Sequence, residues 1–215
     1  MKKVLVIGLI LAMLVTVIAG CGTKDTSEPS ATPAGEASLK TGVSIVTSVA
    51  KSKEPGEADG VAQANTVIIA VTLDDAGVIQ DCAIDYVQSK IGFNAEGKVT
   101  TALDTVFGSK RELGNAYGMK AVSGIGKEWF EQADALEAYV IGKTIDQVKG
   151  IALDDSGKAT DAELVSSVTI GLGDYISGIE KAVANAADLG AKSGDKIGVG
   201  TTTTMDKSKD ATDEA

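Results

Sequence analysis

Two β-branched runs of alternating polarity, Thr66 to Leu73 and Val78 to Val87, flank the four residues DDAG from Asp74 to Gly77. A period of two predicts half-buried strands, and Asp with Gly suits a short turn, so this segment reads as a β-hairpin. In the second arm the alternation puts Val78, Cys82, Ile84 and Tyr86 on one face and Asp81 and Asp85 on the other. The earlier run GVSIVTSVAK, Gly42 to Lys51, predicts a neighbouring strand, joined through the loop SKEPGEADG. A second D-D-x-G piece occurs in IALDDSGKAT, Ile151 to Thr160. Neither piece supplies the spaced oxygen ligands of a calcium loop, so both read as turns.

The period then changes. In KEWFEQADALEAYVIGK, Trp129, Ala133, Leu136 and Val140 fall on one stripe of a helix, with Glu128, Glu131 and Asp134 elsewhere and Gly142 to end it. Thr144 and Gln147 have the spacing of a capping box for a short helix, and Thr160 with Glu163 repeats it. Chain near Ser167 to Gly171 reads as extended. A last helix runs from about Asp174 towards Gly190, with Ile176, Ile179, Val183 and Ala186 on one face. Strands first and helices after predict an α+β fold, a twisted antiparallel sheet with helices packed on one face.

The ends are different in kind. Lys2 and Lys3 precede an apolar run from Val4 to Ile18, short for a membrane span but long enough for a signal-peptide core. The run alone would suit an ordinary secretory signal. It closes in IAGC, however, and an aliphatic residue, two small ones and Cys21 resemble the lipobox of bacterial lipoproteins. That resemblance implies a signal peptide over 1–20, acylation of Cys21, and a cell-membrane location, lipid-anchored and facing the extracytoplasmic side. A diacylated cysteine suffices for stable anchoring. Residues 21–42, rich in Ser, Thr, Gly, Pro and Ala, read as a flexible tether. Residues 43–199 are expected to form the folded domain, and 200–215 a disordered polar tail.

Charge and composition narrow the chemistry. The 215 residues carry a net charge of −10, and removal of Lys2 and Lys3 leaves 18 basic against 30 acidic residues, or −12. An acidic surface argues against nucleic acid as a partner. There is no histidine, which removes Ser-His-Asp and Cys-His catalysis and histidine-bearing metal sites. No catalytic residue and no metal ligand is assigned. With Cys21 taken by lipid, Cys82 has no disulfide partner and reads as a buried, inert thiol.

Two further stretches carry a family resemblance. Ser123-Gly124-Ile125-Gly126, then Trp129 and Phe130, then Gly142-Lys143, are similar to the Thr-Pro-Gly-(Ile/Leu)-Gly segment, aromatic-bearing helix and Gly-Lys step of the FMN-binding domain family. SSVTIGLGDYISGIEKAV aligns with that family's Ser/Thr-Gly-Ala-Thr signature and following helix, through Ser166, Ser167, Val168 and Thr169, then Tyr175-Ile176, Ile179 and Lys181-Ala182-Val183. The family's glycine and alanine are Ser167 and Val168 here, its proline is Ser123, and its preceding aspartate is matched only by the more distant Asp161.

The resemblance implies an FMN-binding-domain-like fold in which the cofactor FMN is held through its phosphate. Thr169 would be the residue that a flavin transferase esterifies, its hydroxyl attacking a diphosphate. Gly124 and Gly126 would give close backbone approach to the flavin. Expected cofactor-binding residues are therefore Thr169, Ser166, Ser167, Val168, Gly124, Ile125 and Gly126. The implied function is an extracytoplasmic electron carrier with a membrane-bound redox partner. The same fold without flavin, as an envelope binding or scaffolding lipoprotein, is the alternative.

Overall fold

In the computed structural model, which describes residues 37–211, four strands form one antiparallel sheet. They are β1 (Ser38–Ser48), β2 (Gly60–Leu73), β3 (Ile79–Phe93) and β4 (Ala187–Lys192), in spatial order β3-β2-β1-β4. β2 and β3 are the expected hairpin. In its turn Asp74 Oδ1 accepts the N–H groups of Ala76 and Val78, both at 2.9 Å, and Gly77 adopts φ 77°. A side chain would be strained there. The same device recurs at Asp154–Gly157, where Asp154 Oδ1 accepts from Ser156 and Lys158, and both D-D-x-G pieces are turns. It also recurs at Asn94–Gly97, which the sequence reading left unmarked.

The pairing of β2 with β3 slips between Thr72 and Leu73: Thr72 faces Asp81 while Leu73 faces Ile79. Gln80 is the extra residue of this bulge, which turns Ile79 onto the face that holds Cys82 and Ile84. Ile79 thus takes the core position that strict alternation assigned to Val78. Cys82 is buried and free, and its thiol is pushed far up, first by burial and then by Glu137 and Asp81.

Among the described residues five α-helices lie between β3 and β4: α1 (Lys110–Leu113), α2 (Trp129–Val140), α3 (Ile145–Lys149), α4 (Ala162–Val165) and α5 (Gly173–Ala184). The stripe Trp129, Ala133, Leu136 and Val140 is fully buried, packing α2 with α5 against Val67, Ile69, Val71 and Ile84 of the sheet. Thr144 and Gln147 make the expected capping box of α3. The cap of α4 shifts by one residue, since Asp161 rather than Thr160 accepts from the N–H of Glu163. The opposite face of the sheet is crossed by the chain after β4, where Asp81 pairs with Lys196 and accepts from the N–H of Ile197. The class is α+β. Among the described residues no helix is long and apolar enough to cross a membrane.

Four further differences concern α5, the linker before it and the two ends of the domain. First, α5 stops at Ala184 instead of reaching Gly190, because Asn185 ends it and donates from Nδ2 to Val43 O at 3.1 Å. The chain then pairs with Ser38–Thr41 as an edge strand. Its buried face is Tyr175, Gly178, Ile179 and Ala182, rotated from the expected one. Second, Ser167 to Gly171 lies outside the sheet, held by N–H bonds from Ser167 and Val168 to Leu164 O.

Third, the tether ends sooner than residue 42, since β1 starts at Ser38 and buries Leu39. Fourth, the polar tail is folded through residue 211. Met205 is buried, Phe107 N–H donates to Thr203 O, and Asp210 Oδ1 accepts from Val99 N–H at 2.7 Å. Polar composition hid these contacts because both hydrogen bonds use a backbone N–H, which leaves no mark in composition, and the apolar anchor is the single residue Met205. The signal segment 1–20, Cys21, the tether up to residue 36 and the tail beyond 211 lie outside the described residues.

Candidate functional site

A cleft of about 530 Å³ opens between the end of α2 nearest Trp129, the 3₁₀ turn Met119–Ala121, and the linker from α4 to α5. Gln132 of α2 joins two of these walls. It is fully buried, its Nε2 donates to Ser123 Oγ at 3.2 Å and Lys127 O at 3.3 Å, and its Oε1 accepts from Thr169 N–H at 2.9 Å and Thr169 Oγ1–H at 3.2 Å. One amide therefore fixes Thr169 against the Ser123–Gly126 segment. Glu128, at the N-cap of α2, adds a second tie by accepting from Met119 N–H at 2.8 Å.

The cleft receives Thr169 and Gly124 of the expected residues, with Ile170, Gly171 and Asp174 beyond Thr169. Thr169 is half-buried and lines the cleft, with its hydroxyl anchored on Gln132. The other expected residues fall outside. Val168 is buried in the hydrophobic core, where its larger side chain packs. Ser166 is exposed and Ser167 half-buried, with their hydroxyls 3.4 Å apart. Ile125 and Gly126 do not line the cleft, and Gly126 serves a turn with φ 63°.

An aromatic wall faces Thr169. Tyr86 of β3 and Trp129 meet edge to face with centroids 6.2 Å apart, Tyr86 and Tyr175 lie 6.3 Å apart, and Trp129 Nε1 donates to Tyr175 Oη at 3.0 Å. Burial, aided by Asp174 and Tyr117, pushes the Tyr86 phenol up to about 12, and burial raises Tyr175 further, so both stay neutral. Such a wall suits a flat ring.

Lys110 completes it, and sequence reading missed this residue. The Ser109–Glu112 capping box fixes the start of α1. Next to Lys110, Arg111 donates to Ile84 O at 2.6 Å and Asp134 Oδ1 at 2.6 Å, and pairs with Glu137. Held on both sides, Lys110 turns inward to 8% exposure, with Nζ 3.8 Å from the Tyr86 centroid, 4.7 Å from Tyr117 and 5.4 Å from Trp129. Among the described residues no carboxylate lies within ion-pair distance of it. Burial first, then Lys90, pushes its amine down to about 8. Nothing in the run GSKREL separates Lys110 from a surface lysine, so only the fold reveals it.

The shift has a measurable consequence. Below about pH 8 both states hold the proton and the fold bears the full cost of burying charge; between 8 and the ordinary 10.5 only the unfolded chain keeps it. Stability from this group therefore rises with pH across that window. Cys82 and Tyr86 oppose it at higher pH, because the fold holds protons there that the unfolded chain releases. Lys110→Met is expected to gain about 2 kcal/mol near neutral pH, allowing for lost attraction to the rings, and to lose that gain as pH approaches 10.5. Thermal melts of both proteins across the window check this.

No family model matches the chain. A chlorophenol reductase of Desulfitobacterium hafniense is 34% identical to it over 96 residues, which is 40% of this chain and 29% of that protein. The chain thus spans less than a third of that relative's length. No solved structure matches.

Proposed function

We propose that this protein is a membrane-anchored extracytoplasmic lipoprotein with an FMN-binding-like domain, which holds FMN in the cleft beside Thr169 and carries electrons. The observation that carries this reading is the half-buried Thr169 on a cleft that also holds an aromatic wall and the Lys110 ammonium. Its volume, about 530 Å³, falls within the roughly 300–1,000 Å³ of ligand sites. The residues suit the group. The half-buried Tyr86, backed by the buried Trp129 and Tyr175, offers apolar area for a ring, Gly124 offers backbone without a side chain, and Lys110 and Lys158 offer positive charge. The partial relative is named a reductase, which agrees with a redox role.

When bound, FMN supplies the capacity to accept and release electrons. The chain's own residues position it and tune its surroundings. Gln132 holds Thr169 in place, the tyrosines stay protonated, and Trp129 closes the inner side against water. Thr169 Oγ1 is the atom that would form the phosphodiester. It would attack the flavin-side phosphorus of a flavin dinucleotide and lose its proton to the transferase, while the P–O–P bond breaks and the nucleoside monophosphate leaves. Anchoring through Cys21 would keep the domain beside a membrane-bound redox partner.

Protein purified from membranes of a host with a flavin transferase tests this. A yellow protein that keeps both colour and the mass of one FMN phosphodiester after denaturation is the expected result. Thr169→Ala should lose that mass yet still take up FMN reversibly. Colour lost on denaturation of the wild type would limit the reading to non-covalent FMN. Colourless protein that ignores added FMN would leave the flavin-free envelope lipoprotein.

A further inference from the structure

The geometry points to Lys110 as the charge-recognition residue of the cleft: its Nζ pairs with an anionic group on an aromatic ligand lying against the wall of Tyr86 and Trp129. This inference rests on the proposed flavin reading only in naming that group as the phosphate of FMN. A lysine side chain is costly to bury without a partner for its charge, and Lys110 is nine-tenths buried, with the rings of Tyr86, Tyr117 and Trp129 beside its Nζ. The rings hold part of the charge through their faces, but they accept no hydrogen bond in the way an oxyanion would.

The groups that face Lys110 from every side give it no counter-ion. From β3 come Tyr86 and Lys90, from the 3₁₀ turn Gly114–Tyr117 comes Tyr117, and from α2 comes Trp129. Elsewhere on the cleft stand Lys158, Asp174 and Tyr175; Asp174 acts on Tyr86 but makes no ion pair with Lys110. A ligand that brings its own negative charge would supply what the fold omits. A phosphodiester keeps one negative charge, so the pairing serves FMN both before and after linkage to Thr169.

The test uses the full-length chain, purified in detergent from a host without a flavin transferase. FMN, riboflavin and inorganic phosphate are titrated well below and well above the pH of about 8 at which Lys110 loses its proton. Below that pH, FMN is expected to bind about tenfold more tightly than riboflavin, and phosphate to compete with FMN. The preference should fall several-fold above that pH, and likewise in Lys110→Met, leaving only what Lys158 contributes. Unchanged FMN affinity and pH profile in Lys110→Met would overturn the assignment. So would an equal loss for riboflavin, which would make Lys110 a wall of the cleft and not a reader of charge.

If neither flavin binds, the flavin reading fails and the anion site is judged separately. Trp129 emission followed against pH reports the Lys110 midpoint in the wild type. Inorganic phosphate should raise that midpoint, and a midpoint that stays put would overturn the site itself.

Discussion

Gly42→Ala is expected to cost roughly 3 kcal/mol or more, enough to threaten a fold of ordinary stability. A Cβ built on Gly42 lies 1.9 Å from Ala182 O, 2.9 Å from Ala182 C and 3.0 Å from Ala186 Cα, all of them backbone. Neither β1 nor α5 can yield by turning a side chain. The two elements must separate, and they are held together locally by Ser44 Oγ–H donating to Gly178 O at 2.6 Å and by Asn185 donating to Val43 O. Gly178→Ala is the internal control. Its Cβ would meet Ile69 Cδ1 at 2.7 Å, the movable end of a side chain, so the smaller penalty is expected there. Urea unfolding of the two variants beside wild type measures the difference, and a Gly42→Ala midpoint equal to wild type would contradict the packing described.

Trp129→Ala is expected to be comparably severe, about 4 kcal/mol. Trp129 is among the largest fully buried side chains, and its removal opens a cavity at the junction of α2, β3 and α5. It also leaves Tyr175 Oη without the indole N–H that bonds it. Trp129→Phe separates the two effects: most of the ring stays, the hydrogen bond goes, and about 1–2 kcal/mol should be lost. Beyond stability, Trp129→Ala should free Tyr86 from its edge-to-face neighbour and blunt the aromatic wall of the cleft. Chemical denaturation gives the stability change, and near-ultraviolet circular dichroism follows the tyrosines. A stability within experimental error of wild type would mean that Trp129 is not packed as described.

What the sequence revealed follows what periodicity can encode. The β2–β3 hairpin and the α2 stripe were legible because a local pattern of apolar residues is enough to define a face. The bulge at Gln80 was not, since a slip of register leaves no mark in composition. The end of α5 at Ala184 was equally hidden, because Asn185 stops the helix by reaching Val43, distant in sequence. The cleft was half legible. Family resemblance brought Thr169 and Gly124 to it, but Gln132, which ties Thr169 to Ser123, reads in sequence as one more polar helix residue. Lys110 depends on long-range packing against Tyr86, Tyr117 and Trp129.

The emission of Trp129, the chain's single tryptophan and a residue of the cleft wall, offers the most direct check on flavin binding. FMN titrated into the purified, flavin-free chain should quench it to a saturating limit with one ligand per chain. Emission that falls only in proportion to added FMN, without saturation, would contradict a flavin site beside Thr169.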